Sequence, residues 1–478
     1  MTRPLSGNLV KSRQIGRPAL PVAGSPGFNR QRPIGIYARP LRKPKPPRRP
    51  WLQFDSDGFF AFAVVATMLF GAAMFGTVSA VAIAATAVVY FMLRLPQLGE
   101  ILAARALILV IPIFAVFSVL WSQYPVDTFK YSLEFALTVG IGLLLSAAPY
   151  PKAVLWGLFL AFASYVLAAV AFGQTVDVGN YGQTAFSGLT LGKNLMGDIA
   201  ATGALLSLAC VVAAIEDRRP FRVLAALAVT VLEMYVLLKA RSAGALLGMV
   251  PAMLALIFSL ALRPARLTMR LIATVFMSFA AAFMAVAYGS AVVQDSMTLF
   301  DKDPTLTGRT YLWQRAADFI AENPALGTGF NGFWVQGNPD AEGLWRFAGI
   351  SDRMGFSFHN TLIELLVNIG WIGVCVFALV AIVCSVLLVR RVMMRPSLAL
   401  CFWLSLLVYE FVRMPVEAIG TSPFSYGTVL LFAGLGVALP ARRTAAARLA
   451  ARRVSHYRMR LPRAVFQHSA PRPSRFSV

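Results

Sequence analysis

Histidine and cysteine are scarce in this 478-residue chain, three of the first and four of the second, and only 14% of the residues are charged. The four cysteines (Cys210, Cys375, Cys384, Cys401) stand in apolar runs without a CxxC pair or a Cys/His cluster. That pattern argues against structural zinc and reads as small buried hydrophobes. The chain also lacks the GxSxG elbow of serine hydrolases and the HExxH of zinc proteases. GLTLGKN at 188–194 imitates a phosphate-binding loop, but its spacing is one residue short, Asn194 replaces Ser or Thr, and no strand is predicted before it. Neither a metal nor a nucleotide cofactor is expected.

Acidic residues are missing from both ends. Residues 1–50 hold twelve Lys and Arg and no acid, and residues 441–478 hold ten Arg and no acid. These tails account for nearly all of the formal +23 charge, since the core balances 22 basic residues against 21 acidic ones. The basicity therefore points to cytoplasmic retention and anionic lipid, not to nucleic acid. The Pro-rich arm 1–50 has the pattern of neither a signal peptide nor a transit peptide and reads as a disordered cytoplasmic segment.

What remains is apolar: 58% of all residues are hydrophobic, more than a soluble core can hide, so the chain is an integral membrane protein. Crossing about 30 Å of hydrocarbon takes roughly 17–25 apolar residues. About twelve runs qualify: 58–75, 78–93, 102–121, 131–148, 153–172, 195–215, 222–239, 243–262, 271–292, 360–389, 397–412 and 424–440. The predicted fold is all-α and polytopic, with helices 1–9 within 51–292, a long outer loop at 293–359 and helices 10–12 within 360–440. Residues 58–93 read as two helices or one long tilted one. With the arm inside, Arg94, the turn at 216–222, 263–270, 390–395 and the C-terminal tail all fall inside too, as the positive-inside rule requires. Both termini are then cytoplasmic.

Lys193, Lys239, Arg241, Arg309 and Arg413 break that rule by falling at the outer boundary. Charges there are costly and imply function. Either they pair with acids (Glu134 with Lys130, Glu233 with Lys239 or Arg241, Glu410 or Glu417 with Arg413), or they converge on one anionic ligand such as a diphosphate.

The stretch 308–373 is the largest polar block between the tails. Thr307 is placed to cap a helix in which Leu312, Ala316, Phe319 and Ile320 form one apolar face, ending at Asn323-Pro324 and lying on the outer leaflet. Arg309 and Trp313 share a face of it. Gly327, Gly329 and Gly332 read as a tight, backbone-exposing turn or as a flexible loop. His359 opens the next span, with Asn360, Glu364 and Asn368 following as a polar stripe that must face protein or water. An imidazole there can act as general base on a hydroxyl, with Glu364 as its orienter or helper.

The pattern Gly308-Arg309-x3-Trp313, then Asn323-Pro324-x2-Gly327-x-Gly329-x3-Phe333, then His359-Asn360 with Gly370 and Gly373, resembles the O-antigen ligase and Wzy-type polysaccharide polymerase family. SVLWSQYP at 118–125, GLTLGKNLMG at 188–197 and KARSAG at 239–244 look like outer-face segments of that family, and the likeness leans towards its exopolysaccharide-polymerase branch. The resemblance implies a metal-independent glycosyltransferase of the bacterial inner membrane, its active site facing the periplasm. Such an enzyme moves a glycan from undecaprenyl diphosphate to an acceptor sugar. It further implies contact with membrane lipids and with other polysaccharide export components. By the same resemblance Arg309 and Arg241 contact the diphosphate; Lys239, Lys193 and Arg413 are the further cations that their outer-boundary positions suggest for it. His359 activates the acceptor, while Trp313, Asn194 and Asn360 support the site. The second loop arginine is Arg315, Arg346 or Arg353, and residues 334–357 select the sugar. A ligase acting on a lipid or protein acceptor, a flippase for lipid-linked oligosaccharide and a structural subunit of a secretion complex are the alternatives.

Overall fold

A computed structural model describes residues 55–439, apart from 75–76, 178–182, 191, 280–307, 352 and 354–355. The two basic tails with His456 and His468, residues 293–307 of the long loop and the expected cap Thr307 lie outside the described residues.

Eleven of the twelve apolar runs overlap a described helix along most of their length; of the ninth, 271–292, only the part to Phe279 lies within the described residues, and it is helical. In order the helices are α1 Ser56–Met74, α2 Thr77–Ala104, α3 Ala106–Phe117, α4 Pro125–Ser146, α5 Pro151–Phe172, α6 Lys193–Glu216, α7 Pro220–Ala240, α8 Ala243–Ala261 and α9 Leu267–Phe279. After the loop helices α10 Arg309–Glu322 and α11 Pro339–Ala348 come α12 Thr361–Met394, α13 Leu398–Arg413 and α14 Tyr426–Val437. Residues 58–93 thus form two helices. Of the described helices, α2, α4, α5, α6, α7, α8 and α12 are long and apolar enough to cross a bilayer, and α1, α3, α9 and α14 are shorter apolar helices. The chain is an all-α, multi-pass membrane protein. Four helices, α4, α5, α7 and α11, start on a proline, whose missing N–H costs nothing in a first turn and whose fixed φ suits it.

One departure from all-helical structure corrects the sequence reading. A hairpin of β1 Gln174–Asp177 and β2 Thr184–Gly188 joins α5 to α6, so a strand does precede the GLTLGKN segment. It is one half of an antiparallel pair and not the parallel strand of a nucleotide-binding unit.

Of the helices long enough to cross a bilayer α6 is the most enclosed, its buried residues running from Met196 to Ala214 with hardly a break. Helices α7 and α9 instead expose Leu224, Val231 and Leu238, and Ile272 and Phe276. Such rows suit hydrocarbon, where an apolar side chain loses nothing by facing outward. Cys210, Cys384 and Cys401 are buried as expected, but Cys375 is exposed on the outer side of α12.

The loop helices settle on protein and not on a leaflet, a second correction. Leu312, Ala316 and Phe319 of α10 join Phe333, Ala341, Leu344, Trp345 and Phe358 in a separate apolar core with Val367 of α12. The reason is aromatic supply. Phe333 lies 4.9 Å from Phe319 and 5.2 Å from Phe358, ring centre to ring centre, so α10 finds its apolar partner within the loop. Gly308, in the left-handed region, caps α10.

Candidate active site

Helix α12 is broken at Gly370, whose φ of 62° and ψ of −172° are open to glycine alone. The break leaves two donors and two acceptors that an unbroken helix would join, Trp371 N to Val367 O and Ile372 N to Asn368 O. The loop 324–329 takes up all four. Trp371 N donates to Pro324 O at 2.9 Å and Ile372 N to Ala325 O at 3.1 Å, while Thr328 N and Gly329 N donate to Val367 O and Asn368 O at 2.8 and 2.9 Å. A Cβ on Gly327 would meet Asn368 C at 2.6 Å. The glycines therefore serve a backbone seam that clamps the loop to the membrane helix, which is the tight-turn reading made specific.

That seam places His359 at the head of α12. Its φ of 51° turns the ring out of the helix path, and its N–H donates to Ser357 Oγ at 3.2 Å. Asn360 caps the helix by accepting from Ile363 N at 3.1 Å and donates to Pro415 O at 2.9 Å. Thr361 N donates to Met414 O at 2.8 Å, and its hydroxyl donates to Glu417 O at 2.8 Å. The segment 414–419 is thereby held against His359.

Glu417 is the hub of the site. Its Oε2 lies 3.4 Å from His359 Nδ1, and its Oε1 lies 3.4 Å from both Arg309 and the Asn194 amide. Arg309 also donates to Val416 O at 2.8 Å. Burial raises the Glu417 carboxyl, but the His359 hydrogen bond and the charges of His359, Arg309 and Arg413 outweigh it and hold the group below its ordinary range. A carboxylate at this place can accept from an Nδ1–H of His359, an arrangement that leaves Nε2 free for another partner.

Glu364 does not take the orienting place expected of it. It is buried one turn into α12 and accepts from Trp334 Nε1 at 3.1 Å, Phe358 N at 2.9 Å and Asn368 Nδ2 at 3.2 Å. These three donors occupy its carboxylate, while the Nδ1 of His359 lies beside Glu417 instead. Trp313 Nε1 donates to Phe358 O at 2.8 Å, so it braces the same corner and does not pair with Arg309.

Arg413 sits deeper, only 5% exposed. It is ion-paired to Asp198 and lies 3.7 Å from Glu410. Asp198 also accepts from Tyr409 at 2.8 Å and Tyr426 at 2.6 Å, so one carboxylate joins α6, α13 and α14. Arg413 thus pairs with Glu410 as expected and with Asp198 as not expected. Glu233 pairs with the Ser207 hydroxyl at 2.6 Å and not with Lys239 or Arg241, since it faces α6 from the middle of α7.

Lys193 and Arg241 stand apart from this pairing. Arg241, in the left-handed region at the end of α7, donates to Gln183 at 2.8 Å, and Lys193 lies near enough to feel its charge. Among the described residues neither is in an ion pair. Ser242 donates to Asn194 at 3.4 Å, which connects their backbone neighbours to Glu417. Lys239 is exposed on α7, its ammonium 5.6 Å from the centre of the Tyr235 ring. Of the three loop arginines, Arg315 pairs with Asp318 at 2.7 Å and Arg353 with Glu342 at 3.2 Å, while Arg346 bonds the Glu342 carbonyl at 3.3 Å.

Residues 226–378, which contain Arg241, Arg309, His359 and Glu364, match the O-antigen ligase family model. Over 408 residues, 81% of this chain and 90% of the relative, the sequence is 31% identical to the exopolysaccharide production protein ExoQ of Rhizobium meliloti (strain 1021). The chain belongs to the O-antigen ligase family. Within this family member, reading the sequence alone missed Glu417 as the partner of His359, and missed Asp198, Tyr409 and Tyr426 altogether. Asp198 had a usable signal, an acid one turn inside an apolar span, four residues after Asn194.

Proposed function

We propose that this protein is a polysaccharide polymerase that transfers a glycan from undecaprenyl diphosphate to an acceptor sugar. The observation that carries this reading is Glu417 bridging His359 and Arg309, with Lys193 and Arg241 close by and in no described ion pair. Nε2 of His359 takes the proton from an acceptor hydroxyl as its oxygen attacks the anomeric carbon. The bond from that carbon to the diphosphate breaks, and the electron pair leaves on the phosphate oxygen. Arg309, Arg241 and Lys193 hold the charge that collects there, so the step is written without metal or nucleotide. Arg413, already paired and enclosed, positions the surrounding helices.

The description of the similar rhizobial protein, exopolysaccharide production, favours chain growth over ligation to a lipid or protein. The basic residues Arg219, Arg263 and Arg390 border the other ends of their helices, which supports cytoplasmic termini and a site on the periplasmic face of the inner membrane.

The test supplies purified protein with a lipid-diphosphate-linked repeat unit and follows release of carrier diphosphate together with lengthening of the glycan. Turnover by the wild type and its loss in His359→Ala and Arg309→Ala are expected. Full activity in both variants would sink the reading, and lipid movement without carrier release would indicate a flippase.

A further inference from the structure

Beside Glu417 a cavity of about 130 Å³ opens between α4, residues 331–334 and 356–357 of the long loop, and the segment 418–423. Its walls combine the rings of Trp334, Phe356 and Tyr131 with the amide of Asn331 and the hydroxyls of Thr421 and Ser422. No charged lysine or arginine lines it, so it is not built for a diphosphate. Its one carboxyl lining group is Glu364, already spoken for by three donors.

The walls are continuous with the proposed base. The Phe356 ring stands edge-on 5.7 Å from the His359 ring, Ser357 accepts from His359 N, and Ala418 follows Glu417 directly. A ring with apolar C–H faces and a rim of hydroxyls needs what this cleft offers, flat aromatic surface with a few placed amide and hydroxyl groups.

We infer that this cleft is the subsite for the terminal sugar of the acceptor glycan, with Trp334 as its stacking platform and Glu364 as the positioning residue that fixes the Trp334 ring. The inference rests on the transferase reading and extends it. Glu364 holds Trp334 Nε1 at 3.1 Å while Asn368 and Phe358 N hold Glu364, so the indole plane is set by the buried stripe of α12. The sugar then meets a pre-formed surface and loses little freedom beyond its own.

The test is calorimetric titration of the detergent-solubilised full chain with short oligosaccharides obtained by partial acid hydrolysis of the exopolysaccharide made by the producing cells. Wild type and His359→Ala should bind alike. Trp334→Leu should weaken binding by about tenfold, the scale of one lost ring contact. Ser422→Trp, which fills the cleft from an exposed rim position and leaves the packing beneath it alone, should abolish binding. In turnover assays both changes should raise the acceptor KM and leave the donor KM where it was. Unchanged acceptor binding in either variant, no binding by wild type, or a shift in the donor KM instead would overturn the assignment. These results separate from the transferase reading itself. Should His359→Ala and Arg309→Ala stay fully active, the reaction is wrong; should they be dead while Trp334→Leu binds acceptor normally, only the cleft is wrong.

Discussion

His359 Nδ1 and Glu417 Oε2 lie 3.4 Å apart, although 58 residues separate them in sequence. The same carboxylate reaches Arg309, so the proposed base and the proposed diphosphate clamp share one anion. Glu417→Gln should cut turnover by about 10²-fold, the lower range for loss of general-base assistance. Glu417 itself has a depressed folded pKa, so its contribution to stability is present above the ordinary carboxylate pKa and lost only as pH falls through the lower folded value. Thermal stability between pH 5 and 8, typical working values for a carboxylate already ionised, should therefore be flat with respect to this group. Undiminished turnover in Glu417→Gln would show that Glu417 does not govern His359.

The cations divide by company, and the division makes a prediction. Arg241 bonds an amide and Lys193 is in no described ion pair, so removing either leaves no orphaned buried acid. Arg241→Ala and Lys193→Ala should raise the donor KM by about tenfold each, with thermal unfolding in detergent unchanged or slightly improved by relief of like-charge repulsion. Turnover should persist in EDTA. Strong inhibition by the chelator, restored by a divalent ion, would contradict a charge clamp made of side chains alone.

Much of the architecture was legible because the bilayer imposes a simple rule: a crossing needs a long apolar run, and each such run, where its residues are described, is helical. His359 and Arg309 were legible as polar residues placed where polarity needs a reason. What connects them was not. Glu417 reaches His359 through a loop following α13, and the left-handed φ of His359 sends its ring away from the helical stripe on which Glu364 lies. Periodicity reports neighbours along one helix and cannot report a partner on the next. The α10 face was misassigned to lipid for a related reason, since Phe333, Trp345 and Phe358 come from three separate stretches that only the fold assembles.

Asp198 is the acid that keeps Arg413 inside the protein. Asp198→Ala would leave that guanidinium buried with only the more distant Glu410, and strand the Tyr409 and Tyr426 hydroxyls. The expected loss is about 3–5 kcal/mol, the range for breaking one side of a buried pair. Asp198→Ala with Arg413→Leu should recover part of it, because the uncompensated charge is then gone. Unfolding followed by tryptophan fluorescence across the cycle would decide, and a double variant no better than Asp198→Ala would mean the cluster holds the helices by shape and not by charge.

The seam at Gly370 makes the most local prediction. A methyl group there must occupy a conformation reserved for glycine and would stand 2.4 Å from the backbone of Ala325, which cannot move without breaking four backbone hydrogen bonds. Strain alone costs about 1–3 kcal/mol. Gly370→Ala should therefore lower the unfolding temperature and, by releasing the loop that carries Trp334, depress turnover further than stability alone explains. Gly343 in α11 provides the contrast, because a Cβ there meets nothing within 4 Å. Gly343→Ala should stabilise that helix by about 0.5–1 kcal/mol and leave activity untouched. The comparison isolates the seam from glycine content as such: equal behaviour of the two variants would mean that the clamp between the loop and α12 is dispensable, and the site would then have to be held by the contacts of α12 with segment 414–419 alone.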